Sequence, residues 1–141
     1  MAEDPRVTAL DDHYYRGTLT FDQFYLGAIL AACGYLAQAH EYGPLGWNSQ
    51  TLQLIPILIM GLAAWFGFKR IEATIHVLNL NARYLERCAR YQDRDFSAQY
   101  RKLKAYGSSI GRWYKWRNRL VTLGFLSYLV VKTAITYRIF E

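Results

Sequence analysis

Apolar positions gather into three long blocks along the chain, and nearly all of the charge lies between and around them. No charged residue occurs in 23–39, in 43–68 or in 120–131, and the first two of these runs are 17 and 26 residues long. A bilayer core takes about 20 apolar residues in a helix, with a lower limit of about 17. The blocks FYLGAILAACGYLAQA (24–39), LQLIPILIMGLAAWFGF (52–68) and LVTLGFLSYLVVKTAITY (120–137, with Lys132 inside it) therefore predict three transmembrane helices. The competing reading is three buried helices of a soluble domain. In 141 residues too little polar sequence remains to cover them, so the pattern predicts an all-α membrane protein. Composition conceals this: 52% of residues are hydrophobic, 16% aromatic and 20% charged, and mean hydropathy is near zero.

The charges between the blocks set an orientation. Of the 17 Lys and Arg residues, 13 lie within 69–119, two within 1–21 and none within the loop EYGPLGWNSQ (41–50). Cytoplasmic loops are enriched in basic residues. The reading is therefore a cytoplasmic N-terminal segment (1–21), a first span (22–40), an external loop (41–50) and a second span (51–68). A basic cytoplasmic segment (69–111), a collar with the third span (112–138) and a short tail (139–141) follow. Residues 1–21 carry Glu3, Asp4, Asp11 and Asp12 against Arg6 and Arg16, the opposite of the basic start of a cleavable signal. The first block is thus expected to be retained. Thr20 and Gln23 fit a capping box opening the first span, and Gly43-Pro44 with Gly46 suit a turn between antiparallel helices. Cys33 and Cys88 fall on different sides of the boundary, so no disulfide is expected.

Within 69–119 the apolar residues step by three and four. Ile71, Ile75, Leu78, Ala82, Leu85 and Ala89 form one stripe, and Phe96, Tyr100, Leu103, Gly107, Ile110 and Tyr114 a second. Each stripe would face the other, or a copy of itself in a neighbouring subunit. A turn near 92–95 makes the two legs equal, giving a helical hairpin continuous with the second and third spans. Gly107-Ser-Ser-Ile-Gly111 reads as a flexible joint below the third span.

The stretch GRWYKWRNR (111–119) lies at the cytoplasmic edge of that span. Trp and Tyr favour the membrane interface and Lys and Arg its inner side, so a collar accounts for every residue type in it. The rest of the hairpin is more basic than insertion requires: 69–119 carries net charge +9. Arg83, Arg87, Arg90, Arg94, Arg101, Lys102 and Lys104 are the surplus and the expected site for an anion, namely a nucleotide, a short oligonucleotide or anionic lipid heads. Tyr84, Tyr91, Tyr100 and Tyr106 would stack bases or pack the hairpin.

Inside the spans, Gly27, Ala31 and Gly34, and separately Ala63 and Gly67, would let helices approach closely. With three thin helices, this predicts a homo-oligomer. Asn118, Thr122, Lys132, Thr133 and Thr136 share a broad side of the third span, either as the lining of a water-filled path or as threonines bonded to their own helix with a snorkelling lysine. Gln38, His40 and Glu41 read as a solvated helix end or, in an oligomer, as a polar ring. His13, His40 and His76 occur singly, Glu72 and His76 make a single i,i+4 pair, and no phosphate-cradling glycine loop follows a strand. Neither an enzyme nor a bound cofactor is expected.

This layout of short spans with a basic cytoplasmic helical part resembles the small membrane effectors of bacterial antiphage systems. It is similar in particular to Hailong-type channel subunits controlled by the nucleotide products of a partner nucleotidyltransferase. The resemblance implies a bacterial inner-membrane channel or membrane-disrupting protein, regulated by a nucleotide in antiviral defence. Two other functions fit the same layout: an accessory or assembly subunit of a larger membrane complex, and a holin-like protein.

Overall fold

Each apolar block is part of a helix longer than the block itself. A computed structural model describes residues 5–46, 48–90 and 97–137, and within them lie three α-helices: α1 (Pro5–Gln38), α2 (Ser49–Arg90) and α3 (Ser97–Thr136). All three are long and apolar enough to cross a membrane. The 42 residues of α2 extend about 63 Å, twice a hydrocarbon core of about 30 Å. Its second half therefore projects well beyond any span built from its first half. The same holds for the 40 residues of α3.

α1 and α2 are antiparallel, joined at one end of the bundle by a short loop with its own hydrogen bonds. Asn48 caps α2: its Oδ1 accepts from the Thr51 N–H at 2.8 Å, while its Nδ2 donates to the Pro44 carbonyl at 2.8 Å. Tyr42 donates its hydroxyl to the Ala37 carbonyl at 3.2 Å. Gly43 lies so close to the Gln50 side chain that a Cβ would collide with it. His40, expected at a solvated helix end, is buried instead, with Nδ1 3.4 Å from Gln53 Oε1 and its ring edge-on to Tyr42.

The densest packing lies midway along the spans. Leu26 and Ile29 of α1 meet Met60, Ala63 and Ala64 of α2, with Leu120 and Val121 of α3 against them. Small residues set the approach: Ala63 has no exposed surface, and a Cβ on Gly124 would stand 2.8 Å from Met60 Sδ. α2 and α3 then remain paired along their whole length. Met60 meets Gly124, Phe66 meets Trp113, His76 meets Tyr106, and Tyr84 meets Tyr100. This one antiparallel register carries the packing out of the spans and down the basic hairpin.

Two local expectations change, and a third is narrowed. Thr20 caps nothing, because α1 starts at Pro5 and passes through it; a helix can begin well before its apolar run when the rest of the helix stands outside the membrane. Gly107-Ser-Ser-Ile-Gly111 is regular helix within α3, where Ser108 and Ser109 bond to the Ala105 and Tyr106 carbonyls at 2.7 and 2.6 Å. Of the two partners open to the α2 stripe, α3 is not the one: Ile75, Leu78 and Leu85 are exposed within the chain. The partly buried face is Ala73, Val77, Leu80, Tyr84 and Cys88. Both sets have helical spacing, and the orientation inherited from the spans selects between them. The turn expected at 92–95 and its residue Arg94 lie outside the described residues, as do Tyr91 and Phe96.

Candidate functional site

Two polar features stand on the basic side of the bundle. The first is a buried charge cluster where the apolar runs end. Antiparallel packing brings Asp22, the last charged residue before α1's apolar run, level with Arg70 of α2 and Arg117 of α3. Asp22 and Arg117 are each 1% exposed and Arg70 is 9% exposed. Arg117 Nη1 donates to Asp22 Oδ1 at 2.9 Å, and Arg70 Nη1 lies 2.8 Å from the same oxygen. Arg117 also donates from Nε to Asn118 Oδ1 at 3.2 Å. Aromatic faces complete the shell. The Arg117 guanidinium lies 4.5 Å from the Tyr25 ring centre and 5.3 Å from that of Tyr114, and Arg70 lies 4.4 Å from Tyr114.

Such a cluster holds three helices at once. Desolvating each ion costs several kcal/mol, and the shared oxygen, the amide and the rings return that cost only in this geometry. Its role is therefore positional: it fixes α1 on the α2–α3 pair at the level where all three leave the apolar region. Arg70 lines one cavity and its neighbour Lys69 another. On the α1 side Arg70 lines an open cleft of about 650 Å³ with His13, Tyr14, Thr18, Phe21 and Tyr114. On the other side of the hairpin, Lys69, Glu72, His76, Tyr106, Ser109 and Trp113 border a groove of about 550 Å³; here Lys69 Nζ is paired with Glu72 at 2.8 Å.

The stretch 111–119 is thus divided between two jobs. Trp116 and Arg119 stay on the surface with the guanidinium 5.9 Å from the indole, as a collar would have them. Arg117 turns inward to the cluster, the exposed Tyr114 lays its ring against Arg70 and Arg117, and Trp113 packs 5.5 Å from Phe66. Reading the stretch alone missed this, and missed Asp22 altogether. A signal was available: Asp22, Arg70 and Arg117 each lie within three residues of the end of an apolar run on the same side, and antiparallel packing puts them at one depth.

The second feature is a groove on the hairpin, about 270 Å³ in volume, lined by Leu80, Arg83, Tyr84, Arg87, Gln99, Lys102 and Leu103. Three of the seven expected anion ligands, Arg83, Arg87 and Lys102, thus come together around a tyrosine from two different helices. Gln99 Oε1 is buried there without a hydrogen-bond partner. Arg90 is elsewhere, 3.5 Å from Glu86. Arg101 and Lys104 are exposed on α3 outside the lining of this groove.

The polar side of α3 is mostly bonded locally. Thr122 and Thr136 donate to the Asn118 and Lys132 carbonyls of their own helix at 3.1 and 2.8 Å, and Asn118 serves Arg117. Thr133 is exposed. Lys132 borders a polar cavity at the loop end of the bundle, with Glu41, Gln50 and Gln53. No family model matches the chain, and neither the curated proteins nor the solved structures give a match to it.

Proposed function

We propose that this protein is a homo-oligomeric inner-membrane effector of the channel or membrane-disrupting type, with the basic hairpin in the cytoplasm as its anion sensor. The observation that carries the reading is continuity. The groove that gathers Arg83, Arg87 and Lys102 is built on the same two unbroken helices, α2 and α3, that form two of the three candidate spans. A ligand that pulls the two legs together at the groove would change the angle at which those helices enter the bilayer, because no break intervenes. A nucleotide or short oligonucleotide suits the groove: guanidinium and ammonium groups for phosphate, and the Tyr84 ring beside them for a base. Antiphage defence, with a partner nucleotidyltransferase supplying the ligand, is the setting that the layout favours. In this reading the spans self-associate, since only 28% of the apolar window of α2 and 11% of that of α3 are buried within one chain.

A second reading has its own support. Ile75, Leu78 and Leu85 leave an apolar stripe exposed along the hairpin, which would suit docking in a larger complex as an accessory subunit. Binding separates the two. Fluorescence anisotropy of a labelled short DNA oligomer with the purified protein should show saturable binding that weakens with salt, as phosphate contacts do. Absence of binding at low salt would favour the accessory role.

A further inference from the structure

Two guanidiniums and one carboxylate leave the three-helix junction with a surplus positive charge, and that surplus rests on Arg70. Arg117 is well partnered: Asp22 and Asn118 accept from it, and two tyrosine rings cover it. Arg70 is not. Its Nη1 lies 2.8 Å from Asp22 Oδ1 but off the hydrogen-bond axis, and its Nε has no partner, although both atoms are buried. Donors of a charged group left unfilled at such depth are costly. Arg70 also lines the cleft of about 650 Å³ between α1 and the hairpin, and a small rotation of its guanidinium would bring the two sealed donors to a ligand there.

We infer that this cleft is a phosphate-binding site, with Arg70 as the principal ligand. The fork of a guanidinium matches two phosphate oxygens. His13, Tyr14, Thr18 and Tyr114 also line the cleft and carry groups able to donate to a phosphate, and Phe21 adds apolar surface. Its volume exceeds that of a bare phosphate, leaving room for the glycerol or ribose of an ester. Asp22, Arg70 and Arg117 lie within three residues of the ends of the apolar runs, which is the depth of lipid phosphates. A phosphate monoester can reach the site either as the head of an anionic phospholipid or as a soluble nucleotide. The site is separate from the hairpin groove and does not depend on it.

The test uses the full chain, purified in detergent and stripped of lipid. It is titrated in parallel with short-chain phosphatidic acid, with AMP, and with diacylglycerol of the same chain length, reading bound ligand by native mass spectrometry. Stoichiometric binding of phosphatidic acid identifies a lipid head as the source, and binding of AMP identifies a soluble phosphate. The titrations are made in the Arg83→Glu, Arg87→Glu, Lys102→Glu background, so that the groove proposed for nucleotides contributes nothing; there Arg70→Met should weaken binding about tenfold or more, and Arg70→Lys should weaken it less. Should Arg70→Met fail to fold, Gly17→Leu replaces it: Gly17 lines the cleft and has nothing within 4 Å of where a Cβ would stand. That variant should fold and lose binding. Failure of both phosphate ligands to bind, equal binding of diacylglycerol, or full binding by the Arg70 and Gly17 variants would overturn the inference.

Discussion

Arg117 of α3 donates to Asp22 of α1 at 2.9 Å across 95 positions of sequence, and both side chains are almost wholly buried. The contact joins the first and last helices, which otherwise meet mainly through α2. It makes Asp22 the acceptor on which the junction depends.

Asp22→Asn should therefore destabilise the protein strongly, by about 3–5 kcal/mol, because it leaves two buried guanidiniums without a counter-charge. Arg70→Met should behave in the opposite way in lipid-free protein. It leaves the Asp22–Arg117 pair in balance and should be neutral or stabilising by about 1–4 kcal/mol. Introduced into the Asp22→Asn background, it should recover part of the loss. Thermal unfolding of the four proteins in one detergent measures the cycle; additive losses would mean that the three charges act independently.

Close approach in the spans gives a second expectation. A Cβ on Gly67 would stand 3.0 Å from Leu26 Cδ1 and 3.5 Å from Arg117 Cδ. Gly67→Ala needs only a small shift of a leucine tip. Gly67→Leu must displace both neighbours and should cost about 1–3 kcal/mol, with α1 becoming more susceptible to proteolysis. A Gly67→Leu protein as stable and as protease-resistant as the parent would contradict the packing.

Three helices long and apolar enough to cross a membrane were legible in the sequence because length and uninterrupted apolarity are local properties. So was the presence of helix in the hairpin. The face of α2 that packs was not: Ile75, Leu78 and Leu85 compete with Val77, Leu80 and Tyr84 at the same spacing, and only the register inherited from Met60–Gly124 decides between them. Thr20 was misread for a related reason, since capping chemistry inside a helix looks the same as at its start. The charge cluster escaped because its members are far apart in sequence. Their common depth shows only when three run ends are compared.

Lys132 borders the polar cavity opposite the hairpin with Glu41 and Gln53. If the oligomer encloses a path there, Lys132→Met should shift ion selectivity toward cations by removing a fixed positive charge. Reversal potentials under a salt gradient measure this. Identical values in the two proteins would assign Lys132 to snorkelling.

The groove should govern the response to ligand without governing insertion. The triple variant Arg83→Glu, Arg87→Glu, Lys102→Glu reverses three charges around Tyr84 and should lose oligonucleotide binding while assembling in membranes as the parent does. Gel filtration in detergent and membrane fractionation check assembly. Loss of assembly would make these residues structural.

Coupling of the groove to the spans is tested most directly by conductance across planar bilayers, recorded for the parent and the triple groove variant with and without short DNA oligomers and cyclic nucleotides. The account predicts parent currents that change when the ligand is added, and variant currents that are present but indifferent to it. A silent bilayer containing inserted, oligomeric parent protein, or a variant that responds as the parent does, would contradict it.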